Sequence, residues 1–190
     1  MNEYELYLRI LAPKYRANDR KLFVEEKDKN SKVEVVNDKE VEYSSYRFDM
    51  DKENFLPMFN NTHTHGETSE YRCPKYLLSF CDYIVLAVVK EKMFVLLIEM
   101  KSENNDKARK QIDASEKFMD YIKETAIRIA PDNSYSFDEN NIEIRRIVLK
   151  PKSRTTTNPI KYLKKNWDNN GINFYPGTSF DIKRACLGYN

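Results

Sequence analysis

Two runs near the middle of the chain are almost entirely apolar: residues 83–89 read YIVLAVV and residues 93–100 read MFVLLIEM, with the polar break Lys90-Glu91-Lys92 between them. Near-continuous Val, Ile, Leu and Phe over such lengths predict strands buried on both faces, and so short a break predicts a tight antiparallel hairpin. The period then changes. Ala108, Ile112, Ser115, Met119, Ile122, Ala126 and Ile129 are spaced alternately by four and three residues. That is the stripe of an amphipathic helix over 105–129, with Asn104 or Asn105 as its cap and Pro131 just past its end. Further on, residues 142–149 read as a strand, 159–167 as a short basic helix, 172–175 as a last strand and 179–187 as a capped terminal helix.

Upstream of the hairpin the pattern is weaker. The first sixty residues alternate charged and aromatic positions, and short stretches such as 32–36 and 41–48 carry the β-branched and aromatic content of strands, so an irregular, partly β-structured N-terminal subregion over 1–60 is expected. Residues 60–74 mix Asn, Thr, His, Gly, Ser and Pro without a period and read as a loop. The order of elements is mixed α/β.

Composition bounds this picture. A chain of 190 residues with 41% hydrophobic and 33% charged positions has the material for one core, so a single domain over 1–190 is expected, with its central part at 75–150. Lys and Arg number 32 against 30 Asp and Glu, a net charge of +2. No overall field attracts a polyanion, and any nucleic-acid contact has to come from a local patch. The start, Met1-Asn2-Glu3-Tyr4-Glu5, lacks a secretory pattern, and no apolar run approaches the ~20 residues that span a bilayer, so a cytoplasmic location without a membrane is expected. Cys73, Cys81 and Cys186 are an odd, sparse set, consistent with reduced thiols.

The acids at the ends of the apolar runs carry the chemistry. Asp82 opens the first strand, while Glu99 and Lys101 close the second and, by alternation, share a face. A turn at 90–92 puts Asp82 nearly opposite Met100 and beside both charged residues. Two carboxylates converging there suit Mg²⁺ or Mn²⁺, hard cations that prefer oxygen ligands, with the Met100 carbonyl as a further ligand. Lys101 then stabilises charge growing on a scissile phosphate or orients a water, and the chemistry such a set suits is phosphodiester hydrolysis.

Asp82 followed by Glu99-Met100-Lys101 resembles the signature of the PD-(D/E)XK nuclease superfamily, an acid on one strand and Glu/Asp-X-Lys on the next, with Cys81 where the name has Pro. Many members also carry a Gln on the next helix, and Gln111 stands ten residues after Lys101, at the edge of the sheet-facing stripe. The resemblance covers roughly residues 73–129. It implies a restriction-endonuclease-like fold, a three-layer α/β/α sandwich around a mixed central sheet. It also implies a Mg²⁺- or Mn²⁺-dependent nuclease acting on nucleic acid in prokaryotic defence, restriction, repair or mobile-element biology; cutting both strands of a duplex would favour a homodimer, and a component of a larger defence complex is a further reading. Members often have another acid on a helix before the first catalytic strand; Glu53, Glu67 and Glu70 compete for that part, and Glu70 is preferred.

Plainer readings stand beside these. Glu99 and Lys101 read alone are charges at a strand end, and Gln111 alone is a solvated helix residue; a catalytically silent nucleic-acid-binding or interaction module of the same fold is the rival account. His63, His65, Cys73 and Cys81 lack the spacing of a closed zinc set. Lys150, Lys152, Arg154, Lys161, Lys164 and Lys165, interleaved with Tyr162 and Trp167, are the candidate phosphate and base contacts, with a solvated basic face as the alternative.

Overall fold

The computed structural model describes residues 2–17, 22–24, 32–36, 39–47, 80–100, 105–133, 136–150 and 171–188. Helix α1 (Glu3–Ile10) comes first, followed by strands β1 (Leu22–Val24), β2 (Lys32–Val36) and β3 (Glu42–Tyr46). Then come β4 (Tyr83–Val89), β5 (Lys92–Met100), the long helix α2 (Asn105–Ile129) and β6 (Ile142–Lys150). The chain ends with β7 (Ile172–Pro176), β8 (Ser179–Asp181) and helix α3 (Ile182–Leu187).

Among the described residues, five strands form the central sheet in the order β3-β4-β5-β6-β7. The first three run antiparallel as a meander; β6 and β7 then add parallel, so the sheet is mixed. As the unbroken apolar runs predict, β4 and β5 are buried on both faces. Alternation sorts their side chains: Ile84, Leu86, Met93, Val95 and Leu97 meet α1 and α2, whereas Val85, Ala87, Phe94, Leu96 and Ile98 face the other way.

The α2 face is held by the predicted stripe. Ala108, Ile112, Ser115, Met119, Ile122 and Ala126 are all buried. Arg146 on β6 adds an ion pair with Glu116 and another with Asp113 at 3.6 Å, tying helix to sheet. On the opposite face the layer differs from the expected second set of helices. It combines the short α3 with a second sheet of order β1-β2-β8, in which β8 runs parallel to β2. Phe23 of β1 packs on Tyr83 with ring centroids 4.6 Å apart, closing this layer onto the central sheet.

Three further expectations are corrected. Residues 179–181 were expected to begin the terminal helix but form β8, because Ser179 to Asp181 pair with Glu34 to Val36; the helix starts after Asp181, whose Oδ1 accepts from the Arg184 N–H at 3.0 Å. The opening residues form α1 where an irregular segment was expected. Asn2 caps it by accepting from the Glu5 N–H at 3.0 Å, and Tyr4, Leu6, Tyr7 and Leu11 bury one side of it. The hairpin turn, finally, contains two residues, Lys90 and Glu91, with φ of 51° and 66°. Positive φ at both central positions is the type I′ geometry whose twist matches paired strands.

Candidate active site

That two-residue turn fixes the register of the site. Val89 pairs with Lys92 and the ladder runs to Tyr83 opposite Ile98. One step further puts Asp82 opposite Glu99, which corrects the expectation that Asp82 faces Met100; the turn is one residue shorter than the polar break, and the pairing shifts with it. Cross-strand neighbours share a face. Both acids therefore lie on the α2 side of the sheet, in line with Ile84 and Leu97.

Each acid is held by the other's strand. The Asp82 N–H donates to Glu99 Oε2 at 3.2 Å, and the Met100 N–H donates to Asp82 Oδ2 at 2.7 Å. One oxygen of each carboxylate thus rests on a backbone donor of the opposite strand. Both side chains are deeply buried, Asp82 at 5% exposure and Glu99 at 0%. Carboxylates are seldom placed so without a partner or a task.

The first turns of α2 reach the same place. Gln111, 9% exposed, donates from Nε2 to the Phe80 carbonyl at 3.0 Å, so it does point back to the strand ends as its spacing predicts. Ser115 Oγ accepts the Cys81 N–H at 2.8 Å and donates to the Gln111 carbonyl at 2.9 Å. This serine was read from sequence only as a stripe position. Its signal was a hydroxyl inside an otherwise apolar stripe, one turn after Gln111.

Cys81 beside Asp82 is fully buried and donates from Sγ to the Tyr83 carbonyl at 3.2 Å. Burial drives its thiol far above the ordinary cysteine range; the Ser115 hydrogen bond opposes this, and the Glu99 and Asp82 charges reinforce it. It is a buried thiol of the core.

Of the other residues singled out, Lys150 closes β6 next to Leu149, the partner of Met100, and so lies at the same end of the sheet as Glu99. Its Nζ is 5.0 Å from the centroid of the Phe174 ring. Lys101, Glu53, Glu67, Glu70, His63, His65, Cys73, Lys152, Arg154, Lys161, Lys164 and Lys165 lie outside the described residues, as does the expected helix at 159–167.

Glu3 is the buried acid of α1, which precedes the meander, and it is turned elsewhere. Its carboxylate accepts from the Asp138 N–H at 3.0 Å and from Asn141 Nδ2 at 3.1 Å, while Asn141 also donates to the Glu91 carbonyl. This clamp closes the turn end of the sheet, opposite to the end where Asp82 meets Glu99. Among the described residues no three His, Cys, Asp or Glu side chains gather as a metal-binding group; the site there consists of two carboxylates.

No family model, curated protein or solved structure matches the chain. Among the described residues no helix is long and apolar enough to cross a membrane.

Proposed function

We propose that this chain is a metal-dependent nuclease of the restriction-endonuclease-like class, hydrolysing phosphodiester bonds of DNA or RNA at the Asp82–Glu99 end of the central sheet. One observation carries the reading. Two carboxylates that sequence alone paired through the PD-(D/E)XK resemblance face each other across adjacent strands, buried and fixed by reciprocal backbone hydrogen bonds. The mixed sheet is compatible with that class, and α2 brings Gln111 to the same strand ends.

The donor set fits a hard divalent cation, because carboxylate oxygens are what Mg²⁺ and Mn²⁺ prefer and two buried like charges are eased by a cation between them. Asp82 and Glu99 would hold it, with the Met100 carbonyl as a third donor. When bound, the ion supplies Lewis acidity and charge neutralisation at the scissile phosphate. The remaining work falls to the chain itself. Asp82 and Glu99 keep their geometry through the two N–H bonds, Lys101 has by the resemblance the role of a compact positive charge that stabilises the reacting phosphate, and Lys150 offers a backbone phosphate contact at the same sheet end. The resemblance suggests a role in prokaryotic defence, restriction, repair or mobile-element biology, and cutting both strands of a duplex would favour a homodimer.

The test is incubation of the pure protein with plasmid, single-stranded DNA and RNA in Mg²⁺, Mn²⁺ or EDTA. The proposal expects cleavage of at least one substrate with metal and none in EDTA. Binding to nucleic acid without cleavage under any of these conditions would favour the silent-module account instead.

A further inference from the structure

The β4 ladder begins at Tyr83, so Phe80, Cys81 and Asp82 stand just outside the sheet and need backbone partners from elsewhere. Helix α2 supplies them. Gln111 takes the Phe80 carbonyl and Ser115 takes the Cys81 N–H, so two successive turns of one helix grip the two residues that lead into Asp82. The Ser115 hydroxyl is fully buried and satisfied in both directions, accepting from Cys81 and donating to the Gln111 carbonyl. A serine bonded back to its own helix is neutral to unfavourable for the helix. Its placement is accounted for by what it holds.

We infer that Ser115 is a positioning residue: through the Cys81 N–H it sets the direction in which the chain delivers the Asp82 carboxylate to Glu99 and to the cation between them. The inference rests on the reading of Asp82 and Glu99 as a metal site. Outer partners that orient a ligand typically govern about 10- to 100-fold in metal affinity or rate. Ser115 touches neither carboxylate in its hydrogen bonds, so its effect on the site is transmitted through the backbone of residues 81–82.

The experiment compares the parent with Ser115→Ala, with Ser115→Thr, which keeps the hydroxyl, and with Ile122→Val, which loosens the same helix two turns away. Mn²⁺ affinity is read by calorimetry, and backbone exchange at the Met100 amide, which is bonded to Asp82 Oδ2, is read by NMR. Ser115→Ala should weaken Mn²⁺ binding about 10- to 100-fold. It should also speed Met100 exchange beyond what its loss of global stability explains, while Ser115→Thr and Ile122→Val bind as the parent does. If Ser115→Ala does not fold, Ser115→Cys, which keeps the volume and weakens the acceptor, takes its place. Unchanged Mn²⁺ affinity in the alanine variant overturns the proposal. A parent that binds no Mn²⁺ sinks the nuclease reading instead; Met100 exchange then decides, acceleration upholding the positioning role and behaviour like that of Ile122→Val overturning it.

Discussion

The Asp82 backbone nitrogen donates to the Glu99 carboxylate at 3.2 Å, while the Asp82 carboxylate receives the N–H of the residue after Glu99 at 2.7 Å. Each acid is thereby located by the main chain of the opposite strand, so the spacing of the two carboxylates is a property of the hairpin register. A ligand that binds only the folded site adds stability by mass action, about 2.7 kcal/mol when present at a hundred times its dissociation constant. Thermal melts should therefore show the parent rising by several degrees in Mn²⁺ over EDTA, and Asp82→Ala showing no such rise.

The register depends on a turn with an unusual composition. Lys90 and Glu91 both sit at positive φ, a region where a side chain costs roughly 1 kcal/mol and glycine nothing. Glu91→Gly should accordingly stabilise the chain by about 1 kcal/mol in urea unfolding, against the usual sign for glycine. The Asn141 bond to the Glu91 carbonyl involves backbone and survives the change. Destabilisation would mean that the Glu91 side chain contributes more than its conformation costs.

Glu3 offers a contrast with the site acids. It is as buried as Asp82, yet its two oxygens are taken by Asp138 and Asn141 at the far end of the sheet. Glu3→Ala should cost about 1–2 kcal/mol by leaving the Asp138 N–H without its acceptor. Mn²⁺ affinity, measured on the folded variant, should stay at the parental value; a large loss of affinity would connect Glu3 to the site.

Burial pushes the Cys186 thiol up to about 12 from an ordinary value of 9.0, with the Arg145 charge only partly opposing it. Between those values the unfolded chain has released a proton that the folded chain retains. Stability contributed by the neutral thiol is present below pH 9 and is lost as pH rises toward 12. The slope from one such thiol approaches about 1.4 kcal/mol per pH unit. In urea unfolding from pH 8 to pH 10.5, Cys186→Ala should leave stability near pH 8 unaffected by this term and flatten the decline above pH 9 by about 1 kcal/mol per unit. An unchanged slope would show that Cys186 ionises equally in both states.

The legible parts of this fold were those where local pattern and tertiary role agree. The apolar runs of β4 and β5 and the 4-3 stripe of α2 have one physical reading each, and the structure follows both to within a residue. Gln111 could be placed because its spacing from Ala108 and Ser115 sets its direction. Elements whose stability comes from distant partners were hidden: α1 is two turns long and depends on the face it buries, and β8 exists only because β2 lies beside it. The one-residue error in register arose because Lys90-Glu91 carries no Gly or Asn to announce a type I′ turn. Ser115 is buried in the stripe as its spacing predicts, but its further role was hidden, since a hydroxyl in a stripe looks like a tolerated small residue until the Cys81 N–H above it is seen.

The most direct measurement of the central claim is calorimetric titration with Mn²⁺ alongside a cleavage assay, on the parent and on Asp82→Ala, Glu99→Ala and Lys101→Ala. The account predicts that the parent binds and cuts, that each carboxylate variant loses metal binding and cleavage together, and that Lys101→Ala still binds Mn²⁺ but cuts slower by orders of magnitude. If the parent neither binds Mn²⁺ nor cuts, or if all three variants bind and cut as the parent does, the site is not the one described.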